Sequence, residues 1–136
     1  MMKQENILII DDNKDILDAL AMILISALRS PSIQTAATRQ KAEEILKNIP
    51  VDMIMADLDM PLAEGYAMIA FLQKNYPAIP VCVMTGDCSS SMKEKLNAMG
   101  VAWSIEKPFQ IEALASLLKD MMNSNQNSLS PTGPTA

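Results

Sequence analysis

Five polar residues stand out by type and spacing: the adjacent pair Asp11-Asp12, then Asp57, Thr85 and Lys107. They fall just after four short apolar runs, "ILII" (7–10), "DMIMA" (52–56), "VCVM" (81–84) and "VAWSI" (101–105). Carboxylates at the end of a buried run can bind a metal, attack a phosphorus atom, or mark where the chain meets water. Each group alone has an ordinary explanation. An acid at a strand end is a turn or cap residue, an acid pair suits a helix N-terminus, and Lys-Pro and Thr-Gly are loop dipeptides. Four such groups at the ends of four different runs are a stronger signal than any one of them.

The elements that must position them can be read from hydrophobic pattern. With "SIQTA" (32–36) added, five apolar runs read as strands. Those at 7–10 and 81–84, and the run at 52–56 after its leading Asp52, are continuously apolar, as suits strands covered on both faces. Candidate helices lie at 14–29, 39–48, 64–75, 89–98 and 110–122. Strands alternating with helices predict an α/β fold with a parallel sheet. Thr38 is a partial cap for the second helix, Pro50 ends it, Pro77 and Pro80 bracket the loop before the fourth strand, and Gly100 stops the fourth helix. Ligands of an open parallel sheet bind outside the carboxyl ends of its strands. All five polar residues would then share one edge.

Three carboxylates crowded there repel. At ~4 Å and an effective dielectric of ~20, each pair costs about 4 kcal/mol. A hard divalent cation removes that cost, and Mg²⁺ suits a site where carboxylates, water and phosphate meet. Asp11, Asp12 and Asp57 bring three negative charges, against two positive from the cation and one from Lys107. Such a site is near neutral and can accept a dianionic phosphoryl group. Lys107 supplies a mobile point charge, Thr85 a hydroxyl, and Gly86 leaves room beside it.

Composition narrows the classes further. The chain has 136 residues, 49% hydrophobic, which fits one domain with a real core. Its net charge of −5 lacks the basic footprint of direct nucleic-acid binding. With no histidine and two cysteines, Cys82 and Cys88, zinc sites are excluded, and free thiols in a reducing compartment are expected. No segment reads as a signal peptide or membrane span. A cytoplasmic domain over 1–122 is expected, with 123–136 a flexible polar tail or the start of a linker.

The motifs "ILIIDDN" (7–13), "DLDMPLAEG" (57–65), "VMTG" (83–86) and "EKPF" (106–109) resemble the receiver domain of two-component response regulators, in that family's order and approximate spacing. The resemblance covers about residues 5–122. It implies a single (βα)5 doubly wound, five-stranded parallel sheet of flavodoxin-like order 2-1-3-4-5. It implies Asp57 as phosphoacceptor, with Lys107 and Thr85 acting on the phosphoryl group. Mg²⁺ (or Mn²⁺) would be held by Asp11, Asp12, Asp57 and the main-chain carbonyl of Asp59. It also implies a cis bond between Lys107 and Pro108, and that Gly65 allows the turn leading into the third helix. The implied donor is a phosphohistidine on a histidine kinase or histidine phosphotransfer protein, and the chain would label itself rather than turn over a separate substrate.

One position departs from the family. The aromatic usually found three residues before the lysine is Ser104 here, with Trp103 just before it. Either Trp103 serves the switch with Thr85 from a shifted place, or that half of the switch is absent. The first helix is unusually apolar: Ile16, Leu20, Ile23 and Ala27 form its expected core stripe, leaving Leu17, Met22, Ile25 and Leu28 off it. Leu17, Met22 and Ile25 are candidate partner-surface residues. Met92 and Met99, with Met121-Met122, offer a homodimer face formed by the fourth helix, fifth strand and fifth helix. Two other readings compete. Asp57-Leu58-Asp59 is similar to the Asp-x-Asp of haloacid-dehalogenase-like phosphatases, but Met60-Pro61 follows and the acidic partner lies upstream. The other reading is an interaction module that no longer takes phosphate.

Overall fold

The computed structural model describes residues 5–27, 31–60, 64–87 and 89–126. Ten elements alternate along the chain: β1 (Asn6–Ile10), α1 (Lys14–Ala27), β2 (Ser32–Ala36), α2 (Arg39–Asn48), β3 (Met53–Asp57), α3 (Glu64–Asn75), β4 (Val81–Thr85), α4 (Ser90–Ala98), β5 (Trp103–Glu106) and α5 (Ile111–Gln126). The strands form one sheet in the order β2-β1-β3-β4-β5, all neighbours parallel. This is the doubly wound architecture expected from the alternation and the resemblance.

Alternation along the strands divides the core in two. Leu8, Ile10, Ile54, Ala56, Val81 and Val83 pack with Ala42 and Ile45 of α2, Met68, Ile69 and Leu72 of α3, and Leu96 of α4. Ile7, Ile9, Met53, Met55, Cys82 and Met84 face the other way, onto Leu17, Leu20 and Leu24 of α1 and Leu114, Leu118 and Met121 of α5. The three central strands are buried almost throughout, whereas β2 and β5 at the edges are only partly covered. That explains their weaker apolar character.

Several boundaries differ from expectation. Asp57 and Thr85 are the last residues of β3 and β4 rather than the first residues after them. The fifth strand begins at Trp103, not Val101. Val101 is instead committed to ending α4: its N–H donates to Leu96 O (2.9 Å) and that of Gly100 to Asn97 O (2.9 Å). Gly100 has φ 86, so this is a Schellman end with glycine in the left-handed region. Ser89 caps α4 by accepting from Met92 N, as Thr38 caps α2 from Lys41 N. α5 runs to Gln126, past the residue where a tail was expected; 127–136 lie outside the described residues.

The apolar faces also need correction. The core stripe of α1 is Leu17, Leu20 and Leu24, with Ile16 and Ile23 flanking it. It has helical spacing but is rotated by about a sixth of a turn from the one expected, with Leu20 common to both, because α1 packs against both the sheet and α5. Leu17 is therefore core, not partner surface. Met121 likewise is fully buried and cannot serve a dimer face. Met22 and Ile25 are exposed, at 71% and 59%. Ala27's side chain, Leu28 and Cys88 lie outside the described residues.

Candidate functional site

The carboxyl edge of the sheet gathers the residues singled out in the sequence. β1 ends beside Asp11, which is fully buried; its N–H donates to Ala36 O (3.1 Å) at the end of β2. One side-chain oxygen, Oδ1, accepts from Asn13 N (2.9 Å). Asn13 Oδ1 in turn accepts from Asp15 N (2.9 Å) and caps α1. The turn that starts α1 thus fixes the first acid. The second, Asp12, is exposed. β3 is paired on both sides and delivers Asp57 to the same edge with 3% of its surface exposed.

Oxygens of Asp11, Asp12 and Asp57 can all lie within 4.8 Å of one another. Asp11 Oδ2 is buried without a hydrogen-bond partner. A buried, unpaired carboxylate oxygen is costly unless something positive meets it. The cluster therefore fits a hard, oxygen-seeking cation. Burial raises the Asp11 carboxyl to about 6, helped by the charges of Asp57 and Asp12 and opposed by Asn13 N–H and Lys107.

Lys107 enters from the far side. Its backbone N–H donates to Thr85 O (2.9 Å), which extends the β4–β5 pairing and aims the side chain back over β4. Nζ reaches Asp57 Oδ1 at 2.9 Å and lies 3.8 Å from Asp59 Oδ2. Burial works against the ammonium, but the hydrogen bond and charge of Asp57 outweigh it and raise the pKa, with Asp11 and Asp59 adding to the effect. The Lys107–Pro108 bond is cis, as the resemblance implied.

Asp59 joins this site in a way the sequence reading missed. Its N–H donates to Asp57 Oδ1 (2.9 Å). Its carboxylate accepts from Thr85 Oγ1 (3.0 Å) and from Gly86 N (2.7 Å). Only its main-chain carbonyl had been expected to matter. The signal for it in the sequence is the Asp-x-Asp spacing itself.

Trp103 and Ser104 do not substitute for one another. Trp103 is in register with Cys82 and packs into the core of α1 and α5. Ser104 is in register with Val83, which belongs to the core of α2, α3 and α4. Successive strand residues face opposite sides, so Trp103 cannot take the aromatic's place from the next position. Gly65 is the second residue of α3, the turn expected to lead into that helix falls on 61–63, outside the described residues, and a Cβ at Gly65 would overlap the Leu58 carbonyl. It is required by close approach of helix to chain just after Asp57.

Residues 7–119 match the family model for the response regulator receiver domain. The chain belongs to that family. An NtrX-like response regulator of Rickettsia bellii is 32% identical over 116 residues, or 84% of this chain and 24% of the relative. The autoinducer 1 sensor kinase/phosphatase LuxN of Vibrio campbellii is 28% identical over 119 residues, 88% of this chain and 14% of its own length. This receiver domain thus spans about a quarter or less of these relatives. Among solved structures, a CheY-like receiver domain protein of Methanospirillum hungatei superposes with TM-score 0.82 at 23% identity, covering 93% of this chain and 99% of that one. That likeness supports the fold. Family membership sets aside the haloacid-dehalogenase-like reading, and among the described residues no helix is long and apolar enough to cross a membrane.

Proposed function

We propose that the receiver domain takes a phosphoryl group onto Asp57 from a phosphohistidine of a histidine kinase or phosphotransfer protein. The observation that carries this is the 2.9 Å contact of Lys107 with Asp57 beside the three-acid cluster. An Asp57 carboxylate oxygen attacks phosphorus, the P–N bond breaks, and its electron pair returns to the imidazole of the donor. Lys107 neutralises charge on the transferring group, and the Thr85 hydroxyl and Gly86 N–H are the donors that its oxygens would need. Asp11, Asp12, Asp57 and the Asp59 main-chain carbonyl would hold Mg²⁺ (or Mn²⁺). When bound, such an ion offsets the crowded negative charge and draws in a phosphoryl oxygen.

On this reading the chain is no enzyme for a separate substrate: it labels itself once and loses the label to water. The setting is cytoplasmic, without direct contact to nucleic acid. Thr85 carries the switch, and Ser104 leaves space where an aromatic would move. Met22 and Ile25 are the α1 residues offered to the donor. The α4–β5–α5 face, with Met99 and Met122 partly exposed, is the homodimer surface. Incubation with acetyl phosphate and Mg²⁺ tests the central step by mass spectrometry. One added phosphoryl group, lost in Asp57→Ala, is expected. No gain, or equal gain in the variant, would favour an inert interaction module or another acceptor.

A further inference from the structure

We infer that the Asp59 carboxylate is a resident competitor for the phosphoryl site, which an incoming phosphoryl group must displace. This deepens the reading of Asp57 as phosphoacceptor and rests on it. The three donors converging beside Asp57 are Thr85 Oγ1, Gly86 N and Lys107 Nζ, and the Asp59 side chain already faces all three. Its Oδ1 accepts from Thr85 at 3.0 Å, and its Oδ2 accepts from Gly86 at 2.7 Å and lies 3.8 Å from Lys107.

The competition is stoichiometric. A hydroxyl has one proton to donate, and a backbone amide has one N–H. Thr85 Oγ1 spends its proton on Asp59 while accepting from Asp87 N (3.1 Å). Neither Thr85 nor Gly86 can serve a phosphoryl oxygen until Asp59 lets go. Charge adds to this, since a carboxylate at that spot repels a dianion. Release needs little rearrangement: the Asp59 side chain is 42% exposed and can turn into water. Asp59 therefore acts as a latch. It occupies the anion site in the unphosphorylated protein and slows capture of the phosphoryl group.

The test uses the full chain at saturating Mg²⁺, with metal affinity measured separately for each variant. Beryllofluoride, a phosphoryl analogue, is titrated by calorimetry into the parent, Asp59→Asn, Asp59→Ala and Asp57→Asn. The expected result is tighter binding in Asp59→Ala by about tenfold, the worth of roughly one charge-assisted contact, with Asp59→Asn between it and the parent. Labelling by acetyl phosphate should quicken in the same order. A variant that merely loosened the fold would bind more weakly, so the direction of change discriminates. Equal or weaker binding in both Asp59 variants, with the parent still labelled on Asp57, overturns the latch alone. Failure of parent and Asp59 variants alike to bind or be labelled overturns the phosphoacceptor reading with it.

Discussion

Lys107 Nζ lies 2.9 Å from Asp57 Oδ1, so a lysine just past β5 reaches over β4 to the carboxylate that ends β3. The pair closes the site across two sheet steps and ties the lysine ammonium to one of its two buried acids. Lys107→Ala should slow labelling of Asp57 by acetyl phosphate about 10²–10³-fold, the usual effect of losing one donor to developing charge. Divalent-cation binding should survive, because the acids remain, and should tighten if anything. A labelling time course paired with a metal titration separates the two effects.

Asp11 gives the site a pH dependence. Its folded pKa of about 6 exceeds the ordinary 3.8, so between those values the folded protein holds a proton the unfolded chain has lost. In metal-free protein this contribution to stability is complete below about 3.8 and is lost as pH rises through about 6. At pH 7 metal-free Asp11→Asn should therefore be more stable than the parent, by about 1–2 kcal/mol after allowance for solvent screening. That difference should vanish near pH 4. The carboxylate must also be ionised to bind a cation, so Mg²⁺ affinity in the parent should fall about tenfold per pH unit below 6. Urea unfolding at two pH values and calorimetry at pH 5 and 7.5 check both signs.

Much of this was legible from sequence because the signals were redundant. The buried strands announced themselves as unbroken apolar runs, and a polar residue at the end of each run is a positional fact that survives an error of one or two residues. The pattern puts Asp57 and Thr85 one residue outside strands that include them, yet on the edge they do share. What failed depended on angle rather than position. The stripe on α1 was rotated because "ILDALAMILISAL" offers apolar residues in nearly every direction, and only packing against the sheet and α5 selects Leu17, Leu20 and Leu24. The start of β5 was misjudged because Val101 is apolar enough for a strand, but its N–H was already needed by α4. The Asp59 side chain was overlooked because nothing in Asp57-Leu58-Asp59 says which donors its carboxylate will meet.

Gly65 tests the geometry behind Asp57. Any Cβ at this helical position would overlap the Leu58 carbonyl, a backbone atom that cannot yield as a flexible side chain would. Gly65→Ala should lower stability by about 1–3 kcal/mol despite alanine's better helix propensity. If the chain accommodates it by moving Leu58, Asp57 next to it moves too, and labelling should slow along with the loss of stability. A denaturant midpoint and a labelling rate on the same variant suffice. An increase in stability would show that the close approach is relieved without cost.

The apolar surface of α1 separates packing from recognition within a single helix. Leu17 and Ile25 are both large and aliphatic, but Leu17 is 6% exposed among Ile7, Ile9 and Leu114, whereas Ile25 is 59% exposed and Met22 71%. Leu17→Ala should cost about 2–5 kcal/mol by leaving a cavity in the core. Ile25→Ser and Met22→Ser should change stability by no more than about 0.5 kcal/mol, as is usual for surface positions. If this face meets the phosphodonor, the same two exposed substitutions should slow transfer from a phosphorylated histidine protein several-fold. They should leave labelling by acetyl phosphate unchanged, since a small donor needs no docking surface. Equal transfer rates in parent and variants would remove Met22 and Ile25 from the interface while leaving the chemistry at Asp57 untouched.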